Sequence, residues 1–279
     1  MDPQSPIPND LKTVLSQYKL IGATKGRLGD EIVKYENSNS HQVVYLKSGE
    51  GVSAKSLDLE ATTLSWLGDK GLIIPKVVYY NKEGNWTYLL ISGVGGLPAH
   101  KVKDFNKDDI LKIVAYALHK FHMISFEKSE QLDTLDKDLE KIQQYIFLKV
   151  VDSEKFIAAN DGKTPEEVFG YLDSHRNLFN KDSLTHGDYC LPNVLIDGNN
   201  FGFIDVGDCG PGDMYKDFSS MEVSIKRNFG AEWIETFYRY YDPSLKIDQE
   251  KIKYYQLIDQ FGYYLDVDKY NSLAKTSGY

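Results

Sequence analysis

The sequence has few cysteines and no long apolar run. Its 279 residues include only Cys190 and Cys209, and neither belongs to a CxxC pair, so no disulfide framework is expected. No uncharged apolar stretch approaches the roughly 18 residues that a membrane span needs. The polar, proline-rich start MDPQSPIPND lacks the basic and apolar regions of a secretory signal. These absences predict a soluble, cytoplasmic protein that is not bound to a membrane.

Positive charge is also scarce. The chain has 32 lysines and arginines against 41 aspartates and glutamates, a net charge of −9. This excess argues against nucleic acid as a partner and favours a cationic ligand, because an acidic surface attracts positive charge at long range. An acidic composition that serves solubility alone is the alternative. We expect a small, cationic partner and a monomer or weak dimer.

Two domains are indicated by a change of pattern along the chain. Residues 1–92 alternate strand-like runs with one long helical pattern, SLDLEATTLSWLGDKG. Residues 93–98 lie in SGVGGLP, whose glycines and proline indicate a hinge. Over residues 99–279, Asn106 can cap a helix, and further segments repeat apolar residues every three to four positions. The prediction is an α+β protein with a small β-rich lobe, a hinge and a larger, mostly helical lobe.

In THGDYCLPNVLIDGNNFGFIDVGD, Asp188 is followed by Asn193 and then by Asp205 at the end of a strand-like run. Phosphoryl transfer needs an acceptor hydroxyl placed in line and a divalent cation that neutralises the phosphates. A carboxylate can orient the hydroxyl, while an amide oxygen and a second carboxylate can hold Mg²⁺. His186 could instead be a metal ligand, but no other histidine or cysteine is spaced to complete such a site. The pattern predicts a phosphoryl-transfer centre.

Several segments resemble the aminoglycoside phosphotransferases, and most closely the aminoglycoside 3′-phosphotransferases. HGDYCLPNVL is similar to the family's catalytic loop, with its glycine between histidine and aspartate, and FIDVGD to its metal-binding segment. VVYLK, LLIS, DMYKDFS and KIKYYQLIDQF extend the resemblance in the same order. The resemblance implies a bilobal, protein-kinase-like fold, ATP (with GTP as an alternative) and Mg²⁺ as cofactors, and transfer of the γ-phosphate to the 3′-hydroxyl of an aminoglycoside.

The resemblance also implies roles for individual residues. Asp188 would be the catalytic residue that orients the attacking hydroxyl, and Asn193 and Asp205 would hold the metal. Lys47, at the end of a strand, would reach the α- and β-phosphates, with Glu60 on the following helix as its ion-pair partner. Without this context a strand lysine would be interpreted as a solvated surface residue.

Further nucleotide contacts are implied in the first lobe. Tyr45 should share a strand face with the lysine and stack on adenine. The backbone from Ser92 to Val94 would bind the base, and the turn from Thr24 to Gly29, which includes Gly26, would cover the phosphates. The glycines alone would indicate only a turn.

A polycationic acceptor needs carboxylates for its ammonium groups. The resemblance implies candidates at Glu154, with Asp152 nearby, and at Asp259. The sequence departs from the family at several positions. Relatives carry two acids in place of Arg227 and Asn228, a glutamate in place of Gln260 and an arginine in place of Asp208. The family chain ends near Phe261, whereas this sequence continues to Tyr279. Asp208 and Gln260 remain candidate substrate contacts, and we predict an altered or narrowed acceptor range.

Two other functions stay open. A kinase of the same fold could phosphorylate another hydroxylated metabolite, such as an amino alcohol or a sugar, which Arg227 and Gln260 favour. The chain could also be a nucleotide-binding pseudokinase without activity. The joint presence of Lys47, Asp188 and Asn193 with the metal-binding aspartate argues against that second alternative.

Overall fold

A computed structural model describes residues 7–126 and 134–277. The described residues form two compact units, one up to Val94 together with the helix from Val267, and the other from Gly95 to Asp266. The division falls inside the segment interpreted as a hinge. The sequence assigned every residue from 99 onward to the second lobe, whereas the last helix clusters with the first. One contact between this helix and the rest of the first unit is the hydrogen bond that the Asn271 side chain donates to the Leu28 carbonyl.

The first unit is an antiparallel sheet with strand order β1-β2-β3-β5-β4 and three helices. Its elements are α1 (Asn9–Leu15), β1 (Tyr18–Lys25), β2 (Glu31–Asn37), β3 (Val43–Glu50), α2 (Val52–Leu67), β4 (Val77–Glu83), β5 (Trp86–Ser92) and the last helix of the chain, α10 (Val267–Ser277). The alternation of β3 puts Val44 and Leu46 into a core with Leu11 of α1. Tyr45 and Lys47 therefore lie on the opposite face of the strand.

The second unit is mostly helical. Its elements are β6 (Leu97–Pro98), α3 (Lys107–His122), α4 (Thr134–Phe147), α5 (Ser153–Ala159), α6 (Pro165–His175), β7 (Ser183–Thr185), β8 (Val194–Asp197), β9 (Asn200–Phe203), β10 (Gly210–Gly212), α7 (Tyr215–Asn228), α8 (Ile234–Tyr241) and α9 (Gln249–Tyr263). Asn106 caps α3 as predicted, since its side chain accepts a hydrogen bond from the Asp109 amide. A β-rich unit with one long helix and a mostly helical unit confirm the α+β class.

Two small sheets in the second unit bring two loops together. β7 pairs with β10, and β8 pairs with β9 around a turn in which Gly198 has a φ of 57°. The residues between β7 and β8, His186–Asn193, are called the HGD loop here, and Asp205–Asp208 after β9 are called the DVG loop. The Ile204 amide donates to the Asn193 carbonyl at 3.0 Å, which ties the ends of the two loops to each other.

Across residues 7–126 and 134–277, none of the helices is both long enough and apolar enough to cross a membrane.

Candidate functional site

Lys47 and Glu60 form a buried ion pair in the first unit. The Lys47 Nζ lies 2.7 and 3.0 Å from the two Glu60 carboxylate oxygens, and the side chains are only 11% and 9% exposed. The strand does not end at Lys47 as predicted, because Ser48 and Glu50 continue the pairing with β5. Strand β3 and helix α2 thus hold an ammonium group and a carboxylate in a fixed orientation, since breaking such a pair would leave a buried charge unpaired.

Tyr45 lies beside the segment interpreted as the hinge. Its ring approaches the position that a Cβ at Gly93 would take, to 3.7 Å. The Ser92 amide donates to the Lys76 carbonyl at 2.9 Å, and the Gly93 amide donates to the Val43 carbonyl at 2.8 Å. Both donors are therefore engaged within the first unit, which leaves Val94 as the better candidate of the predicted segment for a contact to a base.

The glycine turn, residues 26–29, is shorter than the predicted segment. Thr24 lies in β1, where it pairs with Ile32, so the turn begins only at Gly26. The Gly26 amide donates to the Asp30 carbonyl at 2.8 Å, and the Gly29 amide donates to the Gly26 carbonyl at 3.1 Å. Gly29 has a φ of 88°, a left-handed conformation that residues with a side chain rarely adopt.

Asp188 and Asn193 are joined directly in the HGD loop. The Asn193 Nδ2 donates to the Asp188 carbonyl and to its carboxylate Oδ2, both at 3.0 Å. Asn193 is only 6% exposed, so the amide is held in one orientation. Because the amide nitrogen is committed to Asp188, the amide oxygen is the group that remains for a cation.

Asp205, the second residue that the sequence predicted as a metal ligand, has an exposed side chain in the DVG loop. Its φ of 55° is left-handed, a strained conformation for a residue with a side chain, and such residues cluster at functional sites. Hard oxygen donors such as those of Asn193 and Asp205 fit Mg²⁺, which takes one or two protein ligands and completes its shell with phosphates and water. In the part of the chain that the structure describes, no cluster of three or more His, Cys, Asp or Glu side chains is arranged for a metal.

The Asp188 carboxyl differs from an ordinary surface carboxyl. Although the residue keeps an exposed surface, partial withdrawal from water raises its pKa, and the negative charges of Asp208 and Asp205 act in the same direction. The charge of His186 and the hydrogen bond from Asn193 oppose this shift without cancelling it. A carboxylate with a raised pKa is a better proton acceptor, which suits a group that must orient a hydroxyl.

Gly187 allows the two loops to touch. Its φ is 92°, and a Cβ at this position would lie 2.4 Å from the Asp208 carbonyl oxygen. No side chain fits there without moving the backbone of the DVG loop. The glycine between histidine and aspartate is therefore required by the close approach of the two loops.

Asp217, which sequence reasoning missed, anchors the HGD loop. It is fully buried in α7, and its two oxygens accept hydrogen bonds from the His186 amide at 2.8 Å and the Gly187 amide at 2.9 Å. His122 Nε2 lies 2.9 Å from Asp217 Oδ2. Burial by itself would raise the pKa of Asp217, but the hydrogen bond and charge of His122 and the His186 amide hold that pKa below its usual range.

His186 supports the loop from within the core. Its Nδ1 accepts a hydrogen bond from the Asp188 amide at 3.3 Å, and its ring contacts Phe121 and Tyr189 at centroid distances of 5.6 and 5.7 Å. These contacts support the interpretation of His186 as a structural residue of the loop and not as a metal ligand. Burial raises the pKa of the neighbouring Cys190 thiol, so the thiolate form that reactivity requires is disfavoured.

Two candidate acceptor-binding acids are already engaged. The Asp208 Oδ1 lies 3.6 Å from the Lys141 Nζ of α4, and this lysine lowers the pKa of Asp208. The Asp152 carboxylate caps α5 and pairs with the Lys155 ammonium at 2.7 Å. Each of these two carboxylates therefore has a lysine ammonium group as a partner.

The remaining candidates lie on α5 and α9. Glu154 is exposed in the first turn of α5, while Asp259 and Gln260 are half-buried near the end of α9. The Asp152 amide donates to the Tyr264 carbonyl at 2.8 Å, which places the start of α5 beside the end of α9. The Gln260 Oε1 is buried and has no hydrogen-bond partner among residues 7–126 and 134–277.

The end of α7 lies against the HGD loop. The Ser224 Oγ accepts a hydrogen bond from the Leu191 amide at 3.0 Å, and the Asn228 side chain donates to the Ser224 carbonyl at 2.8 Å. Arg227 is exposed, and its charge acts to lower the pKa of Cys190. The positive charge of Arg227 therefore lies close to the HGD loop, at one of the two positions where relatives carry acids.

Comparison with known proteins finds aminoglycoside phosphotransferases. An aminoglycoside 3′-phosphotransferase of Niallia circulans is 28% identical over 256 residues, which cover 91% of this chain and 97% of the relative. A protein of the same name from Enterococcus faecalis is 28% identical over 265 residues, with coverage of 91% and 97%. The crystal structure of an aminoglycoside 3′-phosphotransferase of type VIII shares the fold, with a TM-score of 0.78 at 22% identity and coverage of 90% and 96%.

A nucleotide complex is known for another structure of this fold. An aminoglycoside phosphotransferase from Streptomyces rimosus, solved with ADP and streptomycin, has a TM-score of 0.69 at 20% identity, with coverage of 91% and 97%. The sequence model described as "Phosphotransferase enzyme family" matches residues 32–255, which is most of the chain. The resemblance found in the motifs is thereby confirmed, and the chain belongs to this phosphotransferase enzyme family, the family of the aminoglycoside phosphotransferases.

Proposed function

We propose that the protein is an ATP- and Mg²⁺-dependent kinase that transfers the γ-phosphate to the 3′-hydroxyl of an aminoglycoside. The observation that carries the proposal is the hydrogen bond from the Asn193 amide nitrogen to the Asp188 carboxylate at 3.0 Å. It fixes one carboxylate for the acceptor and leaves an amide oxygen for a cation, which is the division of labour that phosphoryl transfer requires. The names of the relatives support the choice of acceptor.

In this proposal each residue has a defined task. Asp188 accepts the proton of the acceptor hydroxyl as the new oxygen–phosphorus bond forms and ADP leaves. Lys47, held by Glu60, contributes positive charge to the nucleotide phosphates. Asn193 and Asp205 hold Mg²⁺, which neutralises charge on the phosphates when it is bound with the nucleotide.

The second candidate function is phosphorylation of a less cationic hydroxylated metabolite by the same chemistry. Two observations favour it. The Asp208 carboxylate is paired with the Lys141 ammonium. The positive charge of the Arg227 guanidinium acts at the HGD loop, where it lowers the pKa of Cys190 against the larger effect of burial. Both reduce the negative charge available for ammonium groups, so an acceptor with fewer amines would lose less binding energy than an aminoglycoside.

The two candidates are separated by a panel of acceptors in a coupled assay of ADP release. Aminoglycosides with a 3′-hydroxyl, aminoglycosides without it, amino alcohols and sugars are each offered with ATP or GTP and Mg²⁺. Turnover confined to aminoglycosides that carry the 3′-hydroxyl supports the first function. Turnover of amino alcohols or sugars alone supports the second, and no turnover of any acceptor by the folded protein, with Asp188→Asn indistinguishable from wild type, supports a pseudokinase.

A further inference from the structure

The carbonyl of Leu28, in the glycine turn, receives two side-chain hydrogen bonds. The Ser53 hydroxyl, at the start of α2, donates to it at 2.7 Å, and the Asn271 amide of α10 donates at 2.9 Å. A carbonyl oxygen has two lone pairs, so these donors satisfy it completely. The turn is therefore held from both sides by helices of its own unit.

The two donors fix the orientation of one peptide group. The amide of Gly29, on the other end of the same peptide, donates to the Gly26 carbonyl at 3.1 Å. Because a peptide group is planar, holding its oxygen and its N–H together fixes the plane. A Cβ at Gly29 would lie 3.3 Å from the Asn271 Nδ2, which shows how closely α10 approaches the turn.

The orientation of the Asn271 amide is determined by this contact. The reverse orientation would place the amide oxygen against the Leu28 oxygen, and the two acceptors would repel. In the observed orientation the Asn271 Oδ1 is buried and has no hydrogen-bond partner among the described residues. Leaving a buried acceptor unpaired costs free energy, and the hydrogen bond that the Asn271 Nδ2 donates to the Leu28 carbonyl offsets part of that cost.

We propose that Asn271 is a positioning residue for nucleotide binding, which acts through the Leu28 carbonyl to keep the glycine turn in the conformation that receives the phosphates. The proposal rests on the proposed function, in which this turn covers the nucleotide. Asn271 lies outside residues 32–255, the part of the chain that the family model matches. The match to the family model therefore does not include it.

The expected effect is on nucleotide affinity. When a turn adopts its binding conformation only part of the time, the apparent dissociation constant rises in inverse proportion to that fraction. Losing one of the two hydrogen bonds to the Leu28 carbonyl should lower the fraction of molecules with the turn in its binding conformation to about a fifth of the wild-type value. The chemical step and the binding of the acceptor involve other residues and should not change.

The test compares full-length Asn271→Leu with Ser272→Ala, a matched control at an exposed position of the same helix. Steady-state kinetics give the KM for ATP, the KM for the acceptor and kcat, and a direct titration gives the ATP dissociation constant. Amide hydrogen exchange of residues 26–30 is measured without nucleotide. Asn271→Leu should exchange faster at Gly29 and bind ATP about fivefold more weakly, with kcat and the acceptor KM within twofold of wild type.

Unchanged exchange at Gly29, or faster exchange with unchanged ATP affinity, would overturn the role of Asn271. Ser53→Ala removes the other donor to the same carbonyl and should change exchange and affinity in the same direction, which covers the case in which Asn271→Leu does not fold. Failure of wild type to bind ATP would overturn the proposed function and this role with it. That result is seen in wild type alone, before any variant is compared.

Discussion

The HGD loop and the segments that carry the candidate acceptor-binding acids differ in how their polar groups are held. In the HGD loop, Asn193 and His186 are buried and bonded to the same short loop, and Asp217 fixes its backbone from α7. In the acceptor segments, Asp208 is half exposed and paired with a lysine, and Asp152 serves as a helix cap. The candidate catalytic residue Asp188 is held by buried partners, while two of the acids suggested for substrate recognition, Glu154 and Asp208, are exposed.

This contrast indicates which part of the proposed activity can tolerate change. A buried, multiply bonded loop has one arrangement, because each lost partner leaves another polar group unsatisfied. Exposed charges that are paired in water contribute little to stability and can be exchanged at small cost. We therefore expect the reaction to follow the family and the acceptor range to be specific to this chain.

The largest effect is expected for Asp188→Asn. The amide cannot accept the hydroxyl proton, so kcat should fall by roughly 10²–10⁴-fold while the nucleotide KM changes little. The matched control is Asp197→Asn, an exposed acid at the end of β8, which should retain wild-type activity. Equal kcat values for Asp188→Asn and wild type would show that the HGD loop is not the reacting centre.

Asp217→Asn tests whether the loop depends on its buried anchor. An Asn side chain presents an N–H to one of the two loop amides, and we expect a loss of about 3–5 kcal/mol in the free energy of unfolding, from urea denaturation at neutral pH. Asp182→Asn, at an exposed position near β7, should lose less than about 0.5 kcal/mol.

The same pair of variants makes a prediction about pH. The pKa of Asp217 is lowered in the folded protein, so its contribution is complete above the unfolded carboxyl pKa of about 4 and is lost as pH falls through the lower, folded value. The stability gap between wild type and Asp217→Asn should therefore shrink below about pH 4. A gap that stays constant or widens in acid would exclude an ionised Asp217.

Lys47→Met tests the first unit. Loss of a charge-assisted contact to phosphate, worth about 1.5–3 kcal/mol, should raise the KM for ATP by roughly 10–100-fold. Lys55→Met, an exposed lysine on α2, is the control and should leave the KM unchanged. A normal KM in folded Lys47→Met would remove this residue from the nucleotide site.

The smallest effect is expected for Lys141→Met and Asp208→Asn. Their coupling in a double-mutant cycle should stay below about 1 kcal/mol, because both side chains are about half exposed, 46% and 53%. The acceptor kcat/KM should change by less than about fivefold in either single variant. A larger, strongly coupled effect would show that this pair is part of the acceptor site. The acceptor-binding acids would then be held as firmly as the HGD loop, contrary to the comparison above.

The sequence predicted the elements whose signals are local. Helix α3 follows from its cap at Asn106 and its apolar period, and the hairpin of β8 and β9 follows from two short apolar runs around Gly198. The pattern of Asp188, Asn193 and Asp205 was also readable, because one short loop holds the first two residues and the hairpin of β8 and β9 leads directly to the third.

The missed features depend on residues far apart in the chain. Asp217 carried a signal that was overlooked, since it shares helical spacing with the buried Met221 and Ser224 and an acid at such a core position needs partners. The lysine that pairs with Asp208 lies on α4, and the contact of Asn271 with Leu28 spans nearly the whole chain. Neither the apolar periodicity of a helix or strand nor a short sequence motif predicts contacts between residues so far apart in the chain.

The most direct test of the account is the identification of the phosphorylated atom in the product that wild type forms from ATP and an aminoglycoside with a 3′-hydroxyl, by ³¹P and ¹H NMR. We predict a phosphate ester at the 3′ oxygen that is absent from the Asp188→Asn reaction. A phosphate at another position would contradict the proposed acceptor site. A product formed equally by Asp188→Asn would contradict the central claim that the HGD loop performs phosphoryl transfer.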